Sequence, residues 1–277
     1  MVRSHLSVAA AAICFGSTFI VVQGALAHAG AFPFLGARFV VATMLLLVFV
    51  RNRPLNRPTV VAGVYCGISL LAGYIFQTVG LEYTTTTISA FVTYLLVVIV
   101  PVLSALVLRR RPTLAVGIGA ALAAIGLFVM VGNGFSLDRG VLLTLGSALA
   151  FAVNIIMVAA WVNKVDVVWL TTIQLAVVGF GCLIPGFFTG GYRFGWNAWG
   201  AVVFTAVAAS ALAFSLQLWG QRRVGPSRTS ILLMLEPITA ALIARFEGER
   251  LGVAGAVGAA VILVGILIAE VPWPRRT

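Results

Sequence analysis

Long, continuously apolar segments follow one another along the whole chain, and they constrain its fold more than any other feature. Each of ten such segments has about the 17 to 25 residues that a helix needs to cross the hydrocarbon core of a membrane. A membrane β-strand would instead alternate apolar and polar residues over about ten positions. The sequence therefore predicts ten transmembrane helices, numbered 1 to 10 in chain order. The segments are 6–27, 33–50, 60–79, 86–108, 114–131, 140–161, 168–188, 198–219, 229–246 and 253–270.

Composition and charge place the chain in a membrane. Hydrophobic residues make up 61% of the sequence, charged residues make up 9%, and the mean hydropathy is +1.12, far from the averages of soluble domains. The net charge of +11 would also suit a nucleic-acid-binding protein. The basic residues cluster at alternate ends of successive helices, however, and no basic stretch is long enough to follow a phosphate backbone. We therefore expect no nucleic-acid partner.

The basic clusters also predict the orientation of the chain. Arg51–Arg57, Arg109–Arg111 and Arg222–Arg228 lie on the same predicted face as both termini. Cytoplasmic loops of membrane proteins carry an excess of Lys and Arg. We expect a multi-pass protein of the cytoplasmic (inner) membrane with both termini in the cytoplasm, where the basic loops contact anionic lipid head groups.

The two halves of the chain, residues 1–131 and 140–277, resemble each other. Each half contains five of the predicted helices. Because five is odd, the second half must enter the membrane in the opposite orientation, which gives an inverted repeat, a frequent architecture of secondary transporters. Both repeats lie in one chain, which allows the protein to be monomeric. A shift of 136 residues pairs Phe15 with Phe151, Arg38 with Gln174 and Pro101 with Pro237, and a shift of 140 pairs Gln77 with Gln217 and Gly80 with Gly220.

Pro101 and Pro237 each lie inside the fourth predicted helix of their half. A proline inside a helix removes a backbone hydrogen bond and leaves carbonyl groups of the preceding turn unpaired. Paired kinks in related helices of a transporter point to its central site, so we assign both prolines a kinking or gating role. A bend required only by helix packing is the alternative.

Helices 5 and 10 are rich in glycine and nearly free of polar side chains. Gly119 and Gly126 lie in helix 5, and Gly258 and Gly265 are their counterparts in helix 10. Small residues allow helices to approach closely in a bilayer. We therefore expect these two helices to be packing elements and not walls of a cavity.

Glu236 is the carboxylate that lies well inside an apolar segment, directly before Pro237. Ionisable groups in a membrane are costly to bury, and they commonly mark a transport pathway. Glu236 is therefore a candidate site for a proton or for the amine of a substrate. The alternative is a structural acid that is hydrogen-bonded by the kinked backbone or by a neighbouring hydroxyl group.

Other polar and aromatic side chains inside the segments are candidates for the wall of a binding site. Tyr74 and Gln77 lie on one face of helix 3, and Phe214 and Gln217 repeat this pair on helix 8. Two such faces can flank one cavity, although hydrogen bonds between helices would also explain the amides. Trp219 is the tryptophan that we retain as a candidate, because the others are read as interfacial anchors. The substrate-binding candidates are Gln23, Tyr74, Gln77, Asn154, Phe214, Gln217, Trp219 and Glu236.

Arg38 lies five residues inside helix 2, near the predicted outer surface. A long basic side chain at this depth can extend to the lipid head groups. The alternatives are an interaction across helices or a contact with an anionic substrate. Its counterpart in the second half is the uncharged Gln174, so a function at this position belongs to one half only.

The sequence offers no pattern for a cofactor, a metal or catalysis. The three cysteines, Cys14, Cys66 and Cys182, lie inside apolar segments without metal-ligand spacing. There is no nucleotide-binding motif of the Walker type and no cluster of potential catalytic residues. We expect neither a cofactor nor a metal, and we do not expect an enzyme.

Several motifs resemble the EamA-type family of the drug/metabolite transporter superfamily. The resemblance covers essentially the whole chain, and it implies two inverted five-helix repeats around a cavity lined chiefly by helices 1, 3, 4, 6, 8 and 9. It leaves Arg38 on a peripheral helix. The residues that carry the resemblance are Phe15–Ser17, Arg38–Phe39, Gly80–Thr85, Phe91, Pro101, Arg109–Pro112, Leu235–Pro237 and Gly248–Leu251.

Members of that family typically export amino acids, other metabolites or drugs. We therefore expect a secondary transporter that exports a small amphipathic metabolite, such as an amino acid, by alternating access. The first alternative is a lipid flippase or lipid carrier with a cavity open to the bilayer. The second is a membrane-embedded enzyme that modifies lipids, which the absence of a catalytic pattern disfavours.

Overall fold

The computed structural model describes residues 2–26, 29–84, 89, 92–109, 112–131, 138–246 and 252–270. Every regular element in these ranges is a helix, and the helices follow the predicted segments closely. The elements are α1 Val2–Leu26, α2 Ala31–Val50, α3 Arg57–Leu81, α4 Leu96–Val107, α5 Leu114–Val131, α6 Arg139–Trp161, α7 Val167–Phe188, α8 Trp196–Val224, α9a Pro226–Leu232, α9b Leu235–Phe246 and α10 Val253–Glu270.

The helices have the lengths and surfaces of a protein in lipid. Within the described ranges, α2, α3, α6, α7 and α8 are long and apolar enough to cross a membrane, and 92–107, 114–129 and 253–269 form shorter apolar helices. Large apolar side chains such as Phe49, Phe187 and Phe188 are exposed. An apolar surface of this extent is unfavourable in water and suits contact with lipid chains.

The most extensive helix contacts join the two halves of the chain. Helix α1 packs on α8 and α9b, α2 packs on α7, and α3 packs on α6 and α7. In the same way, α4 packs on α6, and α5 packs on α10. The halves are therefore interleaved, and the protein core lies between them.

Helices α5 and α10 approach each other through glycines, as predicted. A Cβ atom on Gly119 would lie 2.6 Å from the Gly265 carbonyl oxygen, and one on Gly126 would lie 2.6 Å from the Gly258 carbonyl oxygen. Backbone atoms therefore occupy the space that a side chain would need. Gly117, on the exposed face of α5, has nothing within 4 Å of its Cβ position.

Gly119→Leu is expected to lower the free energy of unfolding by about 3 kcal/mol or more, because overpacking against backbone cannot relax by a change of rotamer. Gly117→Leu is the matched control, since it adds the same side chain to the same helix on the lipid side. Thermal unfolding of the two purified variants in detergent measures the difference. Equal melting temperatures for the two variants would show that close packing at Gly119 is unimportant.

Asp166 begins α7 and connects it to the loop before α3. Its side chain accepts hydrogen bonds of 2.9 Å from the backbone N–H groups of Val168 and Trp169, and Arg53 Nη1 donates to it at 2.9 Å. Burial alone would raise the pKa of the Asp166 carboxyl, but the Trp169 N–H, Arg53 and the Val168 N–H outweigh it, so the net pKa is lowered. The carboxylate therefore acts as both a helix cap and an ion-pair partner.

Asp166→Ala is expected to lower the free energy of unfolding by about 1 to 2 kcal/mol at neutral pH, since it removes the cap. Asp166→Asn keeps a capping oxygen and loses an exposed ion pair, so its effect is below about 1 kcal/mol. Because the pKa of Asp166 is lowered in the folded protein, its carboxylate stabilises the fold at pH values above the pKa that Asp166 has in the unfolded chain. This stabilisation is lost as the pH falls through the pKa of the folded state. Unfolding measured from pH 7 downward is therefore expected to show the difference between wild type and Asp166→Asn shrinking only in acid.

Helix 9 is interrupted, whereas the sequence predicted one continuous helix with Pro237 inside it. α9a ends at Leu232 and α9b begins at Leu235, so Pro237 is the third residue of a new helix and does not lie inside a continuous one. Proline is well tolerated in a first helical turn. Pro237 has no N–H group to donate to the Leu233 carbonyl. That carbonyl instead accepts a hydrogen bond of 2.9 Å from the Glu236 N–H. Pro101 lies within α4, and the irregular turn of that half precedes it at Leu95.

Helix α8 contains a π-helical segment, Ala206–Leu212, that the sequence did not predict. The Ala213 N–H donates to the Ala208 carbonyl, five residues earlier. The segment packs against α2 and buries Ser210. Single π-helical turns inside α-helices occur frequently at functional sites.

Candidate functional site

A cavity of about 90 Å³ lies between the two halves of the chain. It is bounded by α1, α3, the segment 92–96, α6, α8 and the interrupted helix 9, which are the six helices that the resemblance implied. Its walls combine aromatic rings, amides, hydroxyl groups and one carboxyl group. The lining residues are Phe15, Leu70, Tyr74, Gln77, Thr93, Tyr94, Leu96, Phe151, Asn154, Ile155, Phe214, Gln217, Leu233 and Glu236.

The aromatic wall consists of two repeat-related pairs of rings. Phe15 contacts Phe214 with ring centroids 5.1 Å apart, and Tyr74 contacts Phe151 at 5.3 Å, both edge to face. Phe15 and Phe151 are counterparts, and so are Tyr74 and Phe214, so each contact joins the first helix of one half to the third helix of the other. The Tyr74 and Phe214 rings are 6.4 Å apart. The two faces predicted to flank one cavity thus do so.

Two cavity amides are held by hydrogen bonds to the protein. Asn154 Nδ2 donates to the Cys66 carbonyl at 2.8 Å and to Gln174 Oε1 at 2.9 Å. Gln77 Nε2 donates to Thr93 Oγ1 at 3.3 Å. In contrast, the side chain of Gln217 forms no hydrogen bond with any residue within the described ranges, although Gln217 is only 5% exposed. Asn154 and Gln77 are therefore fixed, and Gln217 is free to turn.

Glu236 lies in the first turn of α9b, where a carboxylate interacts favourably with the positive end of the helix dipole. Its side chain is half-buried and forms a hydrogen bond with the hydroxyl group of Tyr94. Gly16 allows α1 to approach this turn, since a Cβ atom there would lie 2.5 Å from the Glu236 carbonyl oxygen. The interruption of helix 9 thus places one carboxyl group on the cavity wall.

Arg38 does not extend to the lipid head groups, and that expectation is wrong. Its side chain is only 5% exposed, and its Nε donates to Ser210 Oγ at 2.8 Å. The guanidinium carbon lies 5.1 Å from the centre of the Phe39 ring and 5.9 Å from that of Tyr74. It also interacts electrostatically with Glu236. Arg38 therefore lies behind the aromatic wall, in contact with a ring that faces the cavity.

The remaining candidates lie elsewhere. Trp219 is 39% exposed, lies outside the cavity lining and stacks with Arg223 at 5.7 Å. Pro101 and Pro237 do not line the cavity, although Pro237 directly follows Glu236. The side chain of Gln23 lies outside the described side chains. No group of three or more His, Cys, Asp or Glu residues that could hold a metal ion exists within the described ranges.

Sequence reasoning missed four polar residues at or beside the cavity. Tyr94 and Thr93 line it, and Ser147 lies 3.3 Å from Thr93 through their hydroxyl oxygens. Tyr94 carried a usable signal, because it is a phenol inside an apolar segment. Ser147 carried none, since serine is ordinary in a membrane helix. Ser210 contacts Arg38 through the unpredicted π-helical segment.

Comparison with known proteins gives a consistent result. Residues 2–132 and 138–270 each match the EamA-like transporter family. An uncharacterized transporter of Archaeoglobus fulgidus is 31% identical over 268 residues, which are 96% of this chain and 85% of that protein. The uncharacterized transporter YvbV of Bacillus subtilis is 27% identical over 221 residues, which are 76% of this chain and 70% of that protein.

A solved crystal structure has the same fold. It superposes with a TM-score of 0.82 at 19% identity and covers 96% of each chain. Together with the helical architecture and the two matched repeats, these relatives, both named uncharacterized transporters, identify the chain as a member of the EamA-like transporter family.

Proposed function

We propose that this protein is a secondary transporter that exports a small amphipathic metabolite, an amino acid or a similar compound, across the cytoplasmic membrane by alternating access. One observation carries the proposal. The cavity lies between the two repeats and is lined by matching residues from both. A central site between repeats is the usual position of the substrate in transporters of this architecture.

The lining supports an amphipathic solute. The rings of Phe15, Tyr74, Phe151 and Phe214 form apolar walls that exclude water from a hydrocarbon group. Amide groups and the Glu236 carboxyl group lie on the same cavity and provide hydrogen bonds for a polar group. Apolar walls with a few placed polar groups are typical of small-molecule sites.

Repeat-related contacts near the two ends of the cavity helices support alternating access. Gly80 of α3 lies against α6, where a Cβ atom would be 2.7 Å from Thr144 Oγ1. Its counterpart Gly220 of α8 lies against α1, where a Cβ atom would be 2.6 Å from Val8 Cγ2. Thr144 and Val8 are also counterparts. In an inverted repeat such equivalent contacts lie on opposite sides of the cavity, where they can open in turn as the repeats rock against each other.

The proposal includes ten spanning helices, an inverted second repeat and both termini in the cytoplasm. Single cysteines introduced in a variant without Cys14, Cys66 and Cys182 test it. We expect cysteines at Arg3 and Arg57 to react with an impermeant maleimide only after the cells are opened, and cysteines at Glu82 and Arg193 to react in intact cells. Reaction of all four in intact cells, or the reverse pattern, would contradict this topology.

Efflux from proteoliposomes tests the function without prior choice of a substrate. Liposomes containing the purified protein are loaded with a cytosolic metabolite extract, and the external solution is analysed by mass spectrometry. We expect a small set of metabolites to leave faster than from protein-free liposomes. Ile155→Trp, which adds a large ring to the cavity wall, should abolish this efflux. Leu149→Trp on the exposed face of the same helix should retain it.

Two results would reject the proposal. Equal efflux from wild-type and protein-free liposomes would mean that the protein does not move metabolites. Transfer of fluorescent phospholipids between leaflets, blocked by Ile155→Trp and without metabolite efflux, would identify a lipid translocator instead.

A further inference from the structure

Asn154, Gln77 and Glu236 each offer a hydrogen-bond acceptor on the cavity wall, and this restricts the solutes that fit. Both N–H groups of the Asn154 amide are committed to the protein, one to the Cys66 carbonyl and one to Gln174 Oε1. The Asn154 side-chain oxygen accepts no hydrogen bond from any residue within the described ranges. It therefore remains an acceptor on a residue that lines the cavity.

Gln77, in the other repeat, also combines a bonded N–H group with an unbonded oxygen. Its Nε2 donates to Thr93 Oγ1, while its side-chain oxygen accepts no hydrogen bond from the part of the chain that the structure describes. Gln217 is not held by the described residues, so it can present either its oxygen or its N–H groups. A neutral amide offers two N–H donors and one carbonyl acceptor. Asn154, with both donors bonded, therefore keeps only its acceptor for a ligand.

Glu236 adds a charged acceptor to this set. An ionised carboxylate has about four lone-pair positions and no donor. Tyr94 occupies one of these positions. The others remain for donors in the cavity, where N–H groups of a cation form the strongest hydrogen bonds.

The aromatic rings favour the same kind of solute. The faces of Phe and Tyr rings attract cations within about 6 Å of the ring centre. Five aromatic rings line the space that Glu236 and the amides share, those of Phe15, Tyr74, Tyr94, Phe151 and Phe214. Lys, Arg and His are absent from the lining within the described ranges, so a bound cation meets no like charge on the wall itself.

Arg38 is the basic residue close to this site, and its position restricts what it can bind. Its Nε is bonded to Ser210, and the Phe39 and Tyr74 rings lie beside its guanidinium group. It is not part of the cavity lining. Arg38 therefore stabilises the negative charge of Glu236 from behind the wall and offers no anchor for the carboxylate of a solute.

We infer that the cavity binds the ammonium group of an organic amine, with Glu236 as its counter-ion, Asn154 and Gln77 as acceptors and the aromatic wall around its apolar part. The inference rests on the proposed transport function and narrows the substrate from amphipathic metabolites, amino acids included, to amines without a free carboxylate. A free carboxylate on the solute weakens binding, because it meets acceptors and a like charge.

Four compounds with one carbon skeleton test this substrate class. Leucine carries both charges, isopentylamine lacks the carboxylate, isocaproate lacks the amine, and isopentyl alcohol is neutral. The apparent affinity of each for the purified protein follows from the concentration dependence of the melting temperature. We expect isopentylamine to bind at least about tenfold more tightly than leucine, a difference equal to about 1.4 kcal/mol, and isocaproate to bind most weakly.

Variants identify the counter-ion. Glu236→Gln is expected to weaken binding of the amine at least about tenfold, as loss of a charged hydrogen-bond partner requires, and to leave binding of the alcohol unchanged. Glu82→Gln, which removes an exposed carboxylate from the same chain, is the control and should change neither.

Three outcomes overturn the inference. They are tighter binding of leucine or isocaproate than of the amine, an unchanged amine affinity in Glu236→Gln, and no binding of any of the four compounds. The efflux experiment with a whole metabolite extract is independent of this set, so it shows separately whether transport itself has failed.

Discussion

Replacing Glu236 with glutamine is expected to abolish flux driven by a pH gradient across proteoliposomes, down to the background of protein-free liposomes. Glu236 is the carboxyl group of the cavity lining within the described ranges. The other ionisable groups there are the phenols of Tyr74 and Tyr94, which ordinarily titrate far above neutral pH. A transporter that uses protons through this cavity therefore depends on Glu236.

The Glu236→Gln substitution changes the charge of the side chain and keeps its length. Glutamine has the same length as glutamate and keeps an oxygen that accepts the hydrogen bond from Tyr94. It removes only the charge and the carboxylate that can bind a proton. We therefore expect a folded protein with an unchanged elution profile, whose residual exchange of substrate no longer depends on pH.

The control for this experiment is Glu82→Gln, since Glu82 is exposed outside the cavity. It should retain the wild-type flux and its dependence on pH. Flux through Glu236→Gln that responds to a pH gradient like the wild type would show that Glu236 is not the coupling group. The energy source would then be another gradient.

The helices were predictable because a membrane requires long apolar segments, and these are visible in one sequence. The interruption in helix 9 was harder to locate. Pro237 signals a break, but a proline leaves unpaired the carbonyl four residues earlier. The helix is therefore interrupted at Leu233–Met234 and not at the proline itself. The π-helical segment had no signal, because Ala206–Leu212 consists of small and apolar residues that also suit an ordinary α-helix.

The site was predictable where it follows from the repeat. Tyr74 and Phe214, and Gln77 and Gln217, are counterparts in sequence, and they line one cavity in the structure. Trp219 was retained as a candidate, but it lies two residues from Gln217 on a helix, so it faces a different direction. Tyr94 was missed although it is the hydrogen-bond partner of Glu236.

The prediction that the Arg38 side chain extends to the lipid head groups was wrong for a physical reason. Depth in a helix determines whether a basic side chain can reach the lipid head groups, but the rotation of the helix determines whether it faces lipid at all. Helix α2 packs on the π-helical segment of α8 as well as on α7, and Arg38 contacts that segment. Its acceptor, Ser210, comes from the π-helical segment, which no sequence pattern indicated.

Arg38→Met is expected to lower the free energy of unfolding by about 3 to 5 kcal/mol, the range for removing one partner of a buried charge interaction. Methionine retains apolar length, so the loss comes mainly from three interactions. They are the hydrogen bond to Ser210, the contacts with the Phe39 and Tyr74 rings, and the electrostatic interaction with Glu236.

Arg38→Lys is the matched control for charge. It keeps the positive charge but lacks the planar guanidinium group that both stacks on rings and donates in a fixed direction. Its destabilisation should therefore lie between those of wild type and Arg38→Met. Chemical unfolding in detergent, followed by tryptophan fluorescence, measures all of these variants.

A double-mutant cycle decides how much of the effect depends on Glu236. Without Arg38, the carboxylate of Glu236 loses its nearby positive charge, so Glu236→Gln should be less harmful, or even stabilising, in the Arg38→Met background. The expected coupling is about 1 to 3 kcal/mol, within the range found for residues in one network. Effects that add to within about 0.5 kcal/mol would contradict the electrostatic link between the two residues. In that case Arg38 would be a structural residue of the interface between α2 and the π-helical segment, and the charge of Glu236 would have to be stabilised by Tyr94 and the first turn of α9b.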